Sequence, residues 1–264
     1  MRRMLPTSAF KNFLGRILLL VVLASGLACE TEEAPDCLRS AGSLVRKEFK
    51  TEPFEELIVY DKIQLFIRQG SKHRVVIETG EHLIKEVSAE VSNNRLRIKN
   101  GNTCNLFREY ELTKVYVTVP NLSWLQNAGD RTIESIGVLN FPDIWLRSFN
   151  QEKVDEIYTN GDFKLELASD RIRITGDDFS NFFLSGSTGY LDAYFASGDG
   201  RLEAAGLIAG TVEIQHRGTN KLIVNPQQVL KGEIRSTGDV ISVNRPAQIR
   251  VETFYTGRLY FQEP

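Results

Sequence analysis

Glycines recur at an almost fixed interval through the last third of this 264-residue chain. Gly198, Gly218, Gly238 and Gly257 lie 20, 20 and 19 residues apart, each in a small polar patch such as Ser197-Gly198-Asp199 or Thr237-Gly238-Asp239. Between the patches, apolar and polar residues alternate: Leu191, Ala193 and Phe195, then Leu202 and Ala204, Val212 and Ile214, Leu222 and Val224. The alternation continues through Ile241 and Val243, Ile249 and Val251, then Leu259 and Phe261. A period of two marks strands with one buried face, and a fixed longer period marks units that bury their apolar sides only against their neighbours. Together they predict an all-β chain, a β-solenoid (β-helix) of stacked short strands with coils of roughly 20 residues. The glycines fall at its corners, where a tight coil needs φ > 0. A sandwich or barrel with evenly spaced turns is the alternative.

The repeat is imperfect. Counted from their glycines, Leu202–Ala204 and Leu222–Val224 fall at offsets of +4 and +6, whereas Ile241–Val243 falls at +3 and +5. Upstream of residue 126 the strands are less regular. Ile63, Leu65 and Ile67 alternate with polar residues, as do Leu96 and Ile98, and Val115, Val117 and Val119. Val75-Val76-Ile77 is a further strand candidate, and Asn93-Asn94 and Asn100-Gly101 are turn signals. Residues 80–91 have the spacing of a helical turn or two, with Leu83, Ile84 and Val87 on one face.

The first residues address the protein to an envelope. Arg2, Arg3, Lys11 and Arg16 precede an apolar run, Ile17 to Leu23, too short to span a bilayer comfortably. Ala24-Ser25-Gly26-Leu27-Ala28-Cys29 then resembles a bacterial lipobox, which implies cleavage before Cys29 and a diacylglycerol on its thiol. Gly26 stands where such motifs usually have leucine. An ordinary secretory signal with an incidental cysteine is the alternative. Residues 1–28 thus read as a lipoprotein signal peptide and 29–44 as a flexible tether. Glu30-Thr31-Glu32-Glu33-Ala34-Pro35-Asp36 is too acidic and too poor in apolar groups to fold. This acidic run behind the cysteine also resembles the surface-export signal of Bacteroidota lipoproteins. Residues 45–264 are long enough for one large β domain.

Removing residues 1–28 takes four of the 32 basic residues and none of the 34 acidic ones, leaving 28 against 34, a net charge of −6. That excess argues against nucleic acid as a partner and against electrostatic anchoring to a membrane surface. It suits a body held at a membrane by a lipid. Cys37 and Cys104 then remain as an even pair, which an oxidising compartment favours as a disulfide. Such a bridge would clip the tether to the body and contribute about 4 kcal/mol by loop closure. Two free thiols or a metal site are the alternatives. His73, His82 and His216 show no ligand spacing.

No constellation names a reaction or a cofactor. Asp177, Asp178, Asp199 and Asp239 sit in turns, but calcium-binding solenoids use dense Gly-Gly-x-Gly-x-Asp repeats, so turn capping is the simpler role. Gly198-Asp199-Gly200 lacks the following lysine and helix of a phosphate loop. Asp192 with Arg201, or Glu213 with Arg235, would form a catalytic cluster only by converging on one face. Trp124, Trp145, Tyr190, Tyr194, Tyr255 and Tyr260 are candidates for sugar stacking, with cross-strand packing the plainer role. The histidines read as surface or turn residues.

Short motifs spread over residues 45 to the end carry a family likeness. They are Pro53-Phe54-Glu55-Glu56-Leu57-Ile58-Val59, the Gln69-Gly70 turn, Val76-Ile77-Glu78-Thr79-Gly80-Glu81-His82-Leu83-Ile84, and the later Ser-Gly-Asp turns. Asn102-Thr103-Cys104-Asn105-Leu106-Phe107-Arg108-Glu109-Tyr110 resembles a recurring segment of the same proteins, accompanied by an Asp-Cys such as Asp36-Cys37. The chain resembles the putative auto-transporter adhesin, head GIN domain family, cell-surface proteins of Bacteroidota. That likeness implies a β-helical body and a non-enzymatic adhesin or scaffold, carried as an outer-membrane lipoprotein at the cell surface of a Gram-negative bacterium. Its partners would be the membrane, through the lipid, and a protein or glycan ligand on a solenoid face. A glycan-active lyase or hydrolase on the same scaffold, or a periplasm-facing accessory or sensor lipoprotein, are the alternatives.

Overall fold

The computed structural model describes residues 41–102, 113–150 and 156–262. Cys29, Cys37 and Cys104, the residues of the expected lipid anchor and disulfide, lie outside the described residues. The fold is all-β: among the described residues, seventeen strands form one large mixed sheet, curled nearly closed in a barrel-like shape around an apolar core.

The first nine strands are short. They are β1 (Leu44–Phe49), β2 (Glu56–Tyr60), β3 (Gln64–Gln69), β4 (Arg74–Gly80), β5 (Val87–Ser92), β6 (Arg95–Asn100), β7 (Lys114–Val119), β8 (Trp124–Ala128) and β9 (Ile133–Ser135). Alternation places Leu65, Ile67, Leu96, Ile98, Val115, Val117 and Val119 inside, each at most 1% exposed. Asn93 and Asn94 take left-handed φ values of 52° and 62°, the geometry of the tight hairpin that joins β5 to antiparallel β6. Over residues 80–91 only a 3-10 turn forms, Ile84–Glu86, before β5 begins at Val87. A helix that short is marginal alone, while antiparallel pairing with β6 runs over six successive residues. Leu83 and Val87 are nevertheless buried on one side, as their spacing suggests.

Then come β10 (Asp143–Ser148) and four long strands, β11 (Phe163–Gly176), β12 (Asn181–Phe195), β13 (Arg201–His216) and β14 (Leu222–Ile234). The chain ends in β15 (Val240–Ser242), β16 (Gln248–Thr253) and β17 (Leu259–Phe261). All these pair in parallel, in a register close to the glycine spacing: Asn181 opposite Arg201, Leu202 opposite Leu222, Val240 opposite Leu259. The long strands bend the sheet. β11 pairs with β9 through Phe163 and Lys164 and with β10 through Arg171 to Gly176, while β14 meets β15 through Leu222 to Val224 and β16 through Val229 to Ile234. Inside, Phe163 stacks on Phe182 at 4.6 Å between ring centres, and Phe182 meets Phe195 edge-on at 5.7 Å.

Three details depart from the sequence reading. Ile241 and Val243 are not the inward pair of β15; Val240 and Ser242 are fully buried, opposite Leu222 and Val224. A shift of one residue exchanges the two faces of a strand, and the shortened glycine offset was its trace. Second, β13 and β14 start 20 residues apart at Leu202 and Leu222 but continue 18 apart at Thr211 and Val229. The spacing first drops to 17 between Glu203 and Ile208, ahead of Pro226, and returns to 18 between Ala209 and Thr211, where Pro226 lacks an N–H for the ladder. Third, of the four turn glycines only Gly198 has positive φ, at 77°. The others are required by close stacking: a Cβ on Gly218 would sit 3.1 Å from the Gly198 oxygen, and one on Gly257 would collide with the Gly238 oxygen.

Candidate functional site

The outer surface of the parallel strands carries a continuous file of polar and aromatic side chains. Because strands β6, β2, β8, β10 and β11 are laid in register, Arg95, Glu56, Trp124, Trp145 and Arg173 become successive neighbours. The file continues through Asp192, Glu213, Lys231 and Arg250 on β12, β13, β14 and β16. Strand spacing puts these positions about 4.8 Å apart. Their inward neighbours, such as Leu125, Leu146, Ile174, Ala193 and Ile214, are at most 1% exposed, which fixes the file on the outside.

Its two halves differ in chemistry. At the first half, Trp124 and Trp145 meet edge-to-face at 5.1 Å, both half-buried. Three guanidinium groups lie over them: Arg95 at 4.8 Å from Trp124, Arg173 at 5.0 Å from Trp145, and Arg147 at 4.4 Å from Trp124 and 4.9 Å from Trp145. Trp145 Nε1 donates to Thr175 at 2.9 Å, while Trp124 Nε1 is buried with no acceptor among the described residues. Arg95 is paired with Glu56 at 2.5 Å and Arg173 with Asp143 at 3.0 Å. Arg147 has no carboxylate among the described residues, and burial, then the Arg95 charge, push its pKa down.

The second half is a charge network. Tyr190 donates its hydroxyl to Glu213, Lys231 pairs with Glu213 at 3.0 Å, and Arg171 pairs with Asp192 at 3.2 Å while lying 5.3 Å from the Tyr190 ring. The Tyr190 and Lys231 hydrogen bonds hold Glu213 below its usual range; burial raises Tyr190, and hydrogen bonding to Tyr190 and Glu213 raises Lys231. All three shifts run away from neutral pH, so this trio lacks the tuning that proton transfer asks for.

The pairs named from sequence do not meet. Arg201 binds Glu203 and Arg235 binds Glu233, whereas Asp192 and Glu213 are register neighbours, each with its own cation. The turn aspartates serve the turns: Asp239 accepts from the Arg258 N–H at 2.9 Å, Asp199 from the Thr219 hydroxyl at 2.7 Å, and Asp178 from Thr159. Among the described residues no three His, Cys, Asp or Glu side chains gather as a metal site. His73 holds the Phe54 carbonyl at 2.9 Å, and His82 lies 3.5 Å from Glu81. His216 is not a surface residue. It is fully buried between Phe195 and Ile234, with Nε2 on the Asn220 carbonyl at 2.9 Å. Tyr255 and Tyr260 are exposed, away from the file. A separate concavity of about 470 Å³ lies outside β3, β4 and β7, lined by Arg46, Arg68, Arg74 and the stacked Phe66 and Tyr116.

The family described as putative auto-transporter adhesin, head GIN domain, matches residues 53–246. This chain belongs to that family. Among solved structures, a putative adhesin from Bacteroides fragilis NCTC 9343 superposes with a TM-score of 0.73 at 15% identity, covering 83% of this chain and 97% of its own. A putative lipid binding protein from Parabacteroides distasonis ATCC 8503 gives 0.60 at 15%, covering 84% and 98%. A putative adhesin from Parabacteroides merdae ATCC 43184 gives 0.58 at 16%, covering 84% and 97%. At such identities the likeness is one of fold. Among curated proteins there is no match. The fold matches thus leave the chemistry of the outer file to be argued from this head GIN chain's own residues.

Proposed function

We propose that this head GIN protein is a non-enzymatic, lipid-anchored envelope protein displayed at the cell surface, where its β-helical body acts as an adhesin-like binding or scaffold element. The coil reading draws support from the parallel register near 20 residues and from the turn glycines packed over one another. The domain plan remains a signal over 1–28, a tether over 29–44 and the body over 45–264, with Cys29 lipidated and Cys37 bonded to Cys104.

One observation carries the choice of binding over catalysis. Along the outer file each described carboxylate is held by a neighbouring cation, and Glu213 is kept ionised rather than poised to give up a proton. Such a face recognises through fixed charges and rings. The net acidity of the chain after Cys29 disfavours nucleic acid as the ligand; a protein or glycan suits the face. The family description and the names of the adhesins that share the fold point the same way, toward adhesion at Bacteroidota surfaces.

Protease treatment of intact cells tests the display. The body should be cut without lysis; protection until lysis would favour a periplasm-facing accessory role instead. A Cys29→Ser variant should move from the membrane to the soluble fraction, and one that still sediments with membranes would remove the lipid anchor.

A further inference from the structure

We propose that Arg147, held over the paired tryptophans, is a recognition subsite for the carboxylate of an acidic polysaccharide running across the strands; this rests on the binding-face reading above. Charge balance is the first ground. Arg95, Arg173, Arg171 and Lys231 each have a carboxylate within 3.2 Å, and Arg147 has none among the described residues. Its Nε is buried without an acceptor among the described residues, and Arg95 adds a like charge nearby. A half-buried cation left so is costly until a ligand brings the opposite charge.

Geometry is the second ground. Trp124, Trp145 and, at 5.4 Å, Phe149 surround the Arg147 guanidinium and limit its rotation. A planar fork fixed in this way matches a carboxylate through two parallel hydrogen bonds.

The occupant follows from where the subsite lies. It is on a sheet face, and β8 and β10 are hydrogen-bonded on both sides, to β2 and β10 and to β8 and β11. A peptide adding itself as a strand would find no free backbone there. A glycan needs only side chains: aromatic flanks for its ring C–H surfaces and a cation for its acid group. The file offers it a straight course across the strands, at about 4.8 Å per position.

The chain has two tryptophans, both at this subsite, so intrinsic tryptophan fluorescence of the full-length protein reports on it alone. Titration with oligogalacturonate should give a saturable change, weakened by salt, while a neutral cello-oligosaccharide of equal length gives none. Arg147→Gln should weaken binding about tenfold or more, and Arg147→Lys should recover only part of it. Arg68→Gln, in the other concavity, should leave it unchanged. Melting curves establish that each variant is folded. A flat titration of the wild type, an equal response in a folded Arg147→Gln protein, or tighter binding of a sulfated oligosaccharide or of polyglutamate would each overturn the carboxylate-sugar assignment. Because exposure on intact cells is a separate measurement, failure of this titration and failure of surface display are distinguishable.

Discussion

Gly238 sits where a side chain has no room. A Cβ there would press on the Asn220 carbonyl and on the ring of His216, backbone on one side and a fully buried imidazole on the other. Gly238→Ala should therefore cost about 3 kcal/mol or more, read as a shifted denaturation midpoint. His216 itself links this corner to pH. Burial pushes its pKa below 6.5, only partly opposed by the Asn220 carbonyl and the charge of Asp239. The unfolded chain accordingly takes up the proton first as pH falls. Its contribution to stability is complete above pH 6.5 and is lost below it, levelling once the folded value is passed. Thermal melts from about pH 7.5 down to about 5 should show that loss, and His216→Gln should flatten it. Neither role could be read from sequence. The glycine's spacing was visible, but its neighbours across the stack were not, and His216 occupies a position that pairs with Phe195 and Ile234 only after register is set.

At the level of elements, strand phase is the testable quantity. Val240 faces the core and Ile241 faces outward, so Val240→Ala should cost about 2 kcal/mol and Ile241→Ala less than about 1 kcal/mol, measured by chemical denaturation. A larger loss at Ile241 than at Val240 would return the phase that alternation alone suggested. Existence of the strands was legible, because alternating Leu, Val and Ile dictate a buried and an open face. Bends and slips were not. The drop in spacing between Glu203 and Ile208 is set only by how β13 and β14 pair. Likewise the segment 80–91 holds a helical spacing over too few residues, and the proximity of β6 decided for a strand.

Over the whole molecule, parallel stacking turns separate strands into one surface. Glu56, Trp124, Trp145 and Arg173 come from stretches far apart in the chain, and only the ladder β2–β8–β10–β11 makes them neighbours. Sequence inspection singled out both tryptophans but not Arg147, Arg95 or Arg173, since exposed arginines are common on strands and nothing local marks one as unpaired. The proposed tether belongs to this scale too. Mass spectrometry of unreduced protein should find Cys37 joined to Cys104, and a free thiol at Cys104 would remove the clip between tether and body.

The alternation by itself determined an all-β chain whose strands have one buried and one open face, because it depends on local geometry repeated along the backbone. Tertiary structure alone decided which side chains share the outer file and which of its cations face a carboxylate among the described residues. Those facts depend on register between strands, where a slip of one residue exchanges what is buried for what a ligand can touch.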